Sequence, residues 1–198
     1  MLSIGYRLLY SYVDSFRLTK VAHYSRLLRV IRYLPPLRTV VDIGAGYGII
    51  SDLIHLAVGT LYLIEKNPVL LEKIRSKTHE FENVETILAD ALNLPFTDDF
   101  ADLVYFHDSF DEISDKVLAL QEAERIIKRG GYLAVLDWDR GRLTTRIKEI
   151  LLQRMGFPVN CWNLKEITSV IKGTGLRIMV ARSNIDGSMT ILAKKEKS

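Results

Sequence analysis

Glycine at every second position, directly behind a β-branched run, limits this chain's folding options more than any other feature. The stretch reads Val40-Val41-Asp42-Ile43-Gly44-Ala45-Gly46-Tyr47-Gly48. Val40 to Ile43 predicts a buried strand. The glycines that follow let backbone approach a ligand closely, because no Cβ intervenes. Ile49, Ile50, Leu53, Ile54, Leu56 and Ala57 then predict a helix. Strand, glycine turn and helix in that order is how α/β folds hold nucleotide-like ligands.

The rest of the chain repeats the alternation. Further strands are expected at Leu61 to Ile64, Val84 to Leu88, Ala101 to Phe106 and Tyr132 to Leu136. Asn67-Pro68 starts a helix with a cap and a proline at its first position. Ser114 opens another, which Gly130-Gly131 ends. Leu143 to Met155 is helical, and Asn163 with Glu166 has capping-box spacing before a helix over Leu164 to Lys172. Leu176 to Ser183 and Met189 to Lys194 form a hairpin around Asp186-Gly187. Upstream, residues 3–16 and 19–34 read as helices, with Thr19 as a cap and Pro35-Pro36 as a stop. The expected fold is α/β: a doubly wound, seven-stranded, mostly parallel sheet with an antiparallel strand from the hairpin. A chain of 198 residues makes one domain, with residues 1–37 as a helical arm and 38–198 as the α/β core.

Spacing separates the cofactor readings. A dinucleotide turn wants G-x-G-x-x-G, and Ile49 stands where its third glycine belongs. A P-loop is excluded, since no Gly-Lys-Ser/Thr follows. Glu65 ends the second strand, where a carboxylate can accept hydrogen bonds from both ribose hydroxyls. Asp90 follows the third strand between Ala89 and Ala91, an acceptor for an adenine amine between apolar walls. Three carboxylates at consecutive strand ends converge on the crevice above the sheet.

Together these pieces resemble a class I S-adenosylmethionine-dependent methyltransferase of the small-molecule-like subgroup. The resemblance rests on VVDIGAGYG (40–48), LYLIEKNP (61–68), ILADALNLPF (87–96), FADLVYFHDSFDEI (100–113) and IIKRGGYLAVLDW (126–138), in family order and spacing. It implies S-adenosyl-L-methionine as cofactor. Asp42, Gly44, Ala45, Gly46 and Gly48 are then expected around its methionine portion. Glu65 and Lys66 are expected at the ribose, Asp90 and Ala91 at the adenine, and His107 near the sulfonium. It also implies a last strand inserted antiparallel.

The acceptor is written less clearly. His107-Asp108-Ser109-Phe110 replaces the Asn/Asp-Pro-Pro-Tyr/Phe of base amino-methyltransferases, and Cys161 follows Asn160 rather than the proline of C5 enzymes. Asp111-Glu112 stands where many relatives carry a histidine pair, and it is expected at the approach to the next helix, where acids favour the dipole. His107 and Asp108 are the candidates for proton abstraction. Asp137, Trp138 and Asp139 are expected to line the acceptor pocket. Asp108 with Asp137 has no evident third ligand, so no metal is expected.

A small molecule is the expected acceptor. Two other readings stand beside it. One is an RNA or protein methyltransferase that docks its substrate on the N-terminal arm; residues 1–38 carry seven basic residues against Asp14 alone, in a chain of net charge +3. Arg26, Arg29 and Arg32 there read as a solvated helix face. The other is a cofactor-binding subunit without turnover. One cysteine excludes an internal disulfide and suits a cytoplasmic protein, and no apolar run reaches the length of a membrane span.

Overall fold

β-branched and aromatic residues alternate along the strands so that neighbours point to opposite faces. A computed structural model, which describes residues 25–196, shows what that alternation builds. The strands are β1 (Thr39–Ile43), β2 (Thr60–Glu65), β3 (Val84–Leu88), β4 (Ala101–His107), β5 (Ile127–Trp138), β6 (Arg177–Ser183) and β7 (Ser188–Lys194). The helices are α1 (residues 25–31), α2 (Ser51–Ile54), α3 (Pro68–Thr78), α4 (Lys116–Ile126), α5 (Leu143–Arg154) and α6 (Leu164–Gly173). The expected helix over 3–16 and the Thr19 cap lie outside the described residues.

All seven strands join one sheet in the order β3-β2-β1-β4-β5-β7-β6. The pairs from β3 to β5 are parallel, and β7 runs antiparallel to both β5 and β6. The hairpin's antiparallel strand therefore lies one place in from the edge. Each sheet face carries its own core. Val41, Ile43, Val104 and Phe106 face α4 and α6, whereas Val40, Leu103 and Tyr105 face α1, α2 and α3. Leu27, Val30 and Ile31 of α1 belong to the second core, so this part of the arm is packed on the sheet.

Local chemistry sets the element ends. Asn67 accepts the Val69 and Leu70 N–H groups ahead of Pro68, and Asn163 with Glu166 closes a full capping box on α6. Two expectations are corrected. Gly130-Gly131 does not end α4, which stops at Ile126 and passes directly into β5. Both glycines lie inside β5, where its register against β4 shifts between Ala101 and Leu103. A Cβ on Gly131 would meet the Asp102 carbonyl at 3.0 Å, so close strand approach, not helix capping, requires glycine there. The helix expected after the glycine turn is also short: α2 has four residues, followed by a 3-10 turn over His55–Ala57.

Candidate functional site

Strand order reverses between β1 and β4, and ligands of open α/β sheets bind above such a point. Two cavities lie there. The smaller, about 260 Å³, is walled by Gly44, Glu65, Lys66, Asp90 and Ala91 among others. The larger, about 990 Å³, is walled by Arg26, Asp42, Ala45, His107, Trp138 and Lys148 among others. Gly46, Asp108 and Glu112 line both. The structure thus brings together every expected cofactor-site residue except Gly48, along with His107 and Asp108. That glycine has φ +59°, and its missing Cβ would face Ser51 Oγ at 2.9 Å and Ile74. It shapes the turn against α2 and α3 and does not line either cavity.

The glycine turn is pinned from below. The Gly44 and Ala45 N–H groups both donate to the Ile64 carbonyl, at 2.9 and 3.0 Å. Glu65 Oε2 accepts the Gly46 N–H at 2.9 Å, and its Oε1 accepts the Asn67 N–H at 2.8 Å. Glu65 therefore ties the turn to the start of α3. Burial raises its pKa, and the two N–H donors pull it back. A Cβ on Gly46 would find only the Gly44 carbonyl, at 3.9 Å. That open space, bordering both cavities, is what a ligand lying against bare backbone requires, and S-adenosylmethionine fits it.

Asp42, next to last in β1, is in register with Tyr105 on β4 and is 4% exposed. Burial pushes its carboxyl up to about 7; the Tyr105 hydroxyl opposes this and the charge of Glu65 adds to it. Asp90 is exposed, and its Oδ1 accepts the Leu92 N–H at 3.0 Å, a local turn contact beside the smaller cavity.

At the end of β4, Asp108 has φ +50°, an uncommon backbone state for a non-glycine residue. Its N–H donates to the Leu136 carbonyl at 2.9 Å. Arg26 Nη2 donates to Asp108 Oδ2 at 2.8 Å, and His107 Nδ1 lies 3.6 Å from the same oxygen. This corrects the reading of Arg26 as part of a solvated face. Burying Leu27, Val30 and Ile31 turns Arg26 into the larger cavity, where its side chain is 14% exposed. Arg32 does stay at the surface, against Tyr33.

Asp111-Glu112 does not approach a helix terminus. It forms a 3-10 turn over Phe110–Glu112, and the cap of α4 is Asp115. Asp111 is buried near Asp137, and burial, with the charges of Asp137 and Glu112, holds its carboxyl well above the carboxylate range. Asp137 does not line the cavity either. Its Oδ2 accepts the Phe110 and Asp111 N–H groups and its Oδ1 the Trp138 N–H, so it holds the turn after β4. Burial, reinforced by the charge of Asp108, brings it to about 7. Asp139 is likewise absorbed, accepting the Gly141 and Leu164 N–H groups. Trp138 does line the larger cavity, with Lys148 Nζ 3.3 Å from its ring centroid.

Arg26 and Lys148 are among the cavity residues that sequence reasoning missed, as are Leu152 and Phe157. Lys148 falls on the inward side of its helix with Thr145, Glu149 and Leu152, a side that the helical period alone does not identify.

Sheet order, glycine turn and strand-end carboxylates define a Rossmann-like methyltransferase fold. Residues 41–135 match the family model described as a methyltransferase domain. The PH0226 protein of Pyrococcus horikoshii has the same fold, with a TM-score of 0.82 at 20% identity over 99% of this chain and 100% of that one. A chain from the complex between the Haloferax volcanii Trm112 methyltransferase activator and a methyltransferase gives a TM-score of 0.81 at 16% identity, with 100% of both covered. The ubiquinone/menaquinone biosynthesis C-methyltransferase UbiE of Coxiella burnetii is 27% identical over 110 residues, 52% of this chain and 44% of that protein. The match thus spans somewhat less than half of that relative's length. Residues 41–135 thus carry a methyltransferase domain on the class I S-adenosylmethionine-dependent methyltransferase fold, and S-adenosylmethionine is the cofactor that domain implies.

Proposed function

We propose that this chain transfers a methyl group from S-adenosylmethionine to a small-molecule acceptor. The observation that carries the proposal is the pair of cavities meeting at Gly46, Asp108 and Glu112. Bound there, the cofactor supplies a methyl group on a sulfonium that is already electrophilic. The chain's own residues then have three tasks. Glu65, with Lys66, faces the ribose, and Asp90 with Ala91 faces the adenine. Asp42 takes up negative charge opposite the cofactor's ammonium group. Asp108 stands where the cavities join and His107 beside it in the larger one, as candidates to take an acceptor proton, and Arg26 fixes the Asp108 carboxylate. The larger cavity has room for a small acceptor between Trp138, Leu152 and Phe157.

The seating of Arg26 inside that cavity takes one cation out of the basic arm and favours the small-molecule reading over substrate docking along the arm. Calorimetry with S-adenosylmethionine and S-adenosylhomocysteine tests the cofactor half. Loss of at least tenfold in affinity on Asp42→Ala and Glu65→Ala is expected, and unchanged affinity in both refutes the site. Transfer of a labelled methyl group across an acceptor panel tests the other half. Labelling of RNA or protein, lost on neutralising Arg29 and Arg32, would replace the small-molecule reading with the docking one.

A further inference from the structure

Helix α5 is inside out. Its buried residues are Thr145 and Glu149, while Leu143, Ile147, Ile150 and Leu151 are 50–72% exposed. These four residues fall within about 100° of arc, one continuous stripe along about 12 Å of helix. The inward polar residues explain how such a helix stays in place. Thr145 Oγ1 donates to the Gly187 carbonyl at 3.0 Å, and Glu149 accepts the Cys161 N–H at 2.9 Å and pairs with Arg140. Polar contacts, with Leu152 packed against Phe157, Val159 and Cys161, therefore hold the helix, and most of its apolar residues are left facing outward.

The surroundings say what that side fits. Ile185, 98% exposed, projects from the neighbouring hairpin, which Arg142 joins through Ser183. Arg142, Arg146 and Arg154 are exposed around the stripe. From Arg140 to Met155 the one acid is Glu149, which is buried and paired. An apolar stripe bordered by arginines, with no exposed acid in the segment, complements a surface that is apolar inside and anionic outside. A second copy packed through the same face sets the arginines of the stripe against one another, with the exposed acids Glu166 and Asp186 only at its margin. No helix among the described residues is long and apolar enough to cross a membrane.

We propose that the outward face of α5, together with Ile185, docks on an anionic lipid membrane. Ile185 also borders the larger cavity, so docking brings the mouth of that cavity to the lipid surface. The proposal does not depend on which acceptor is methylated.

Flotation of the full chain with vesicles tests it. Binding is expected to equimolar phosphatidylglycerol and phosphatidylcholine, weaker at high salt, and absent with phosphatidylcholine alone. The double variant Ile147→Asp/Leu151→Asp should lose binding while keeping its unfolding temperature and cofactor affinity. Arg146→Gln with Arg154→Gln should weaken binding about 25-fold, at about fivefold per cation. Ile185→Ser, which leaves the helix untouched, should weaken it severalfold and serves if the double variant does not fold. Failure of the unaltered chain to float with anionic vesicles overturns the proposal. So does undiminished binding by the Ile185 variant together with the double variant, or by the Ile185 variant alone where the double variant does not fold. Light scattering that shows a dimer split by Ile147→Asp assigns the face to a second copy instead.

Discussion

Burial keeps Asp42 protonated across a range where a free aspartate is ionised, with its midpoint pushed up to about 7. A cation bound beside it favours the ionised form. Affinity for S-adenosylmethionine should therefore rise as pH increases through about 7, and calorimetry on Asp42→Asn should find that slope flattened and the affinity reduced. Gly44 makes a second residue-scale test. It has φ +77°, and a Cβ would stand 2.6 Å from the Ser109 Cβ, whose hydroxyl donates to the Ile43 carbonyl. Gly44→Ala should cost about 1–3 kcal/mol in denaturant unfolding. Asp42, Gly44 and Glu65 were legible because strand-end position and spacing alone place them. Arg26 was not. Its partner Asp108 lies 82 residues away, and a helical pattern shows which side is polar but not what that side meets.

At the scale of elements, legibility followed side-chain punctuation. Asn67-Pro68, Asn163 with Glu166, and Asp186-Gly187 each bond to their own neighbouring backbone, so the sequence carries the whole interaction. Asn163→Ala should cost about 1 kcal/mol in unfolding free energy and loosen α6 first, measurable by hydrogen exchange in its first turn. Gly130-Gly131 misled because a helix end and a strand irregularity both call for the left-handed backbone that Gly130 adopts at φ +84°. Helix α5 was found from its period, yet period alone does not reveal which side is inward. That depended on Gly187, Cys161 and Arg140, none of them on the helix.

Across the described residues, four buried carboxyls, Asp42, Glu65, Asp111 and Asp137, are raised above their ordinary values. The folded chain then holds protons that the unfolded chain releases, so stability should increase as pH falls from above about 7 toward the ordinary carboxylate range near 3.8. Below that range the lowered carboxyls of Asp102 and Glu122 work in the opposite direction, because their ion pairs are lost on protonation. Melting temperature against pH should therefore peak on the acid side of neutrality. Asp42→Asn should remove part of the fall toward alkaline pH.

Strand β7 is hydrogen-bonded on both sides, to β5 across Tyr132–Trp138 and to β6 across Arg177–Ser183. Strand β6 has no other neighbour in the sheet. During synthesis, β6 leaves the ribosome with nowhere to pair, and β5 waits with one edge bare. Some fifty residues separate β5 from the segment that fills the gap, so closing it is a slow, long-range step. A nascent chain halted before Ser188 would present two unpaired edges at once, the state that chaperones recognise and aggregates recruit.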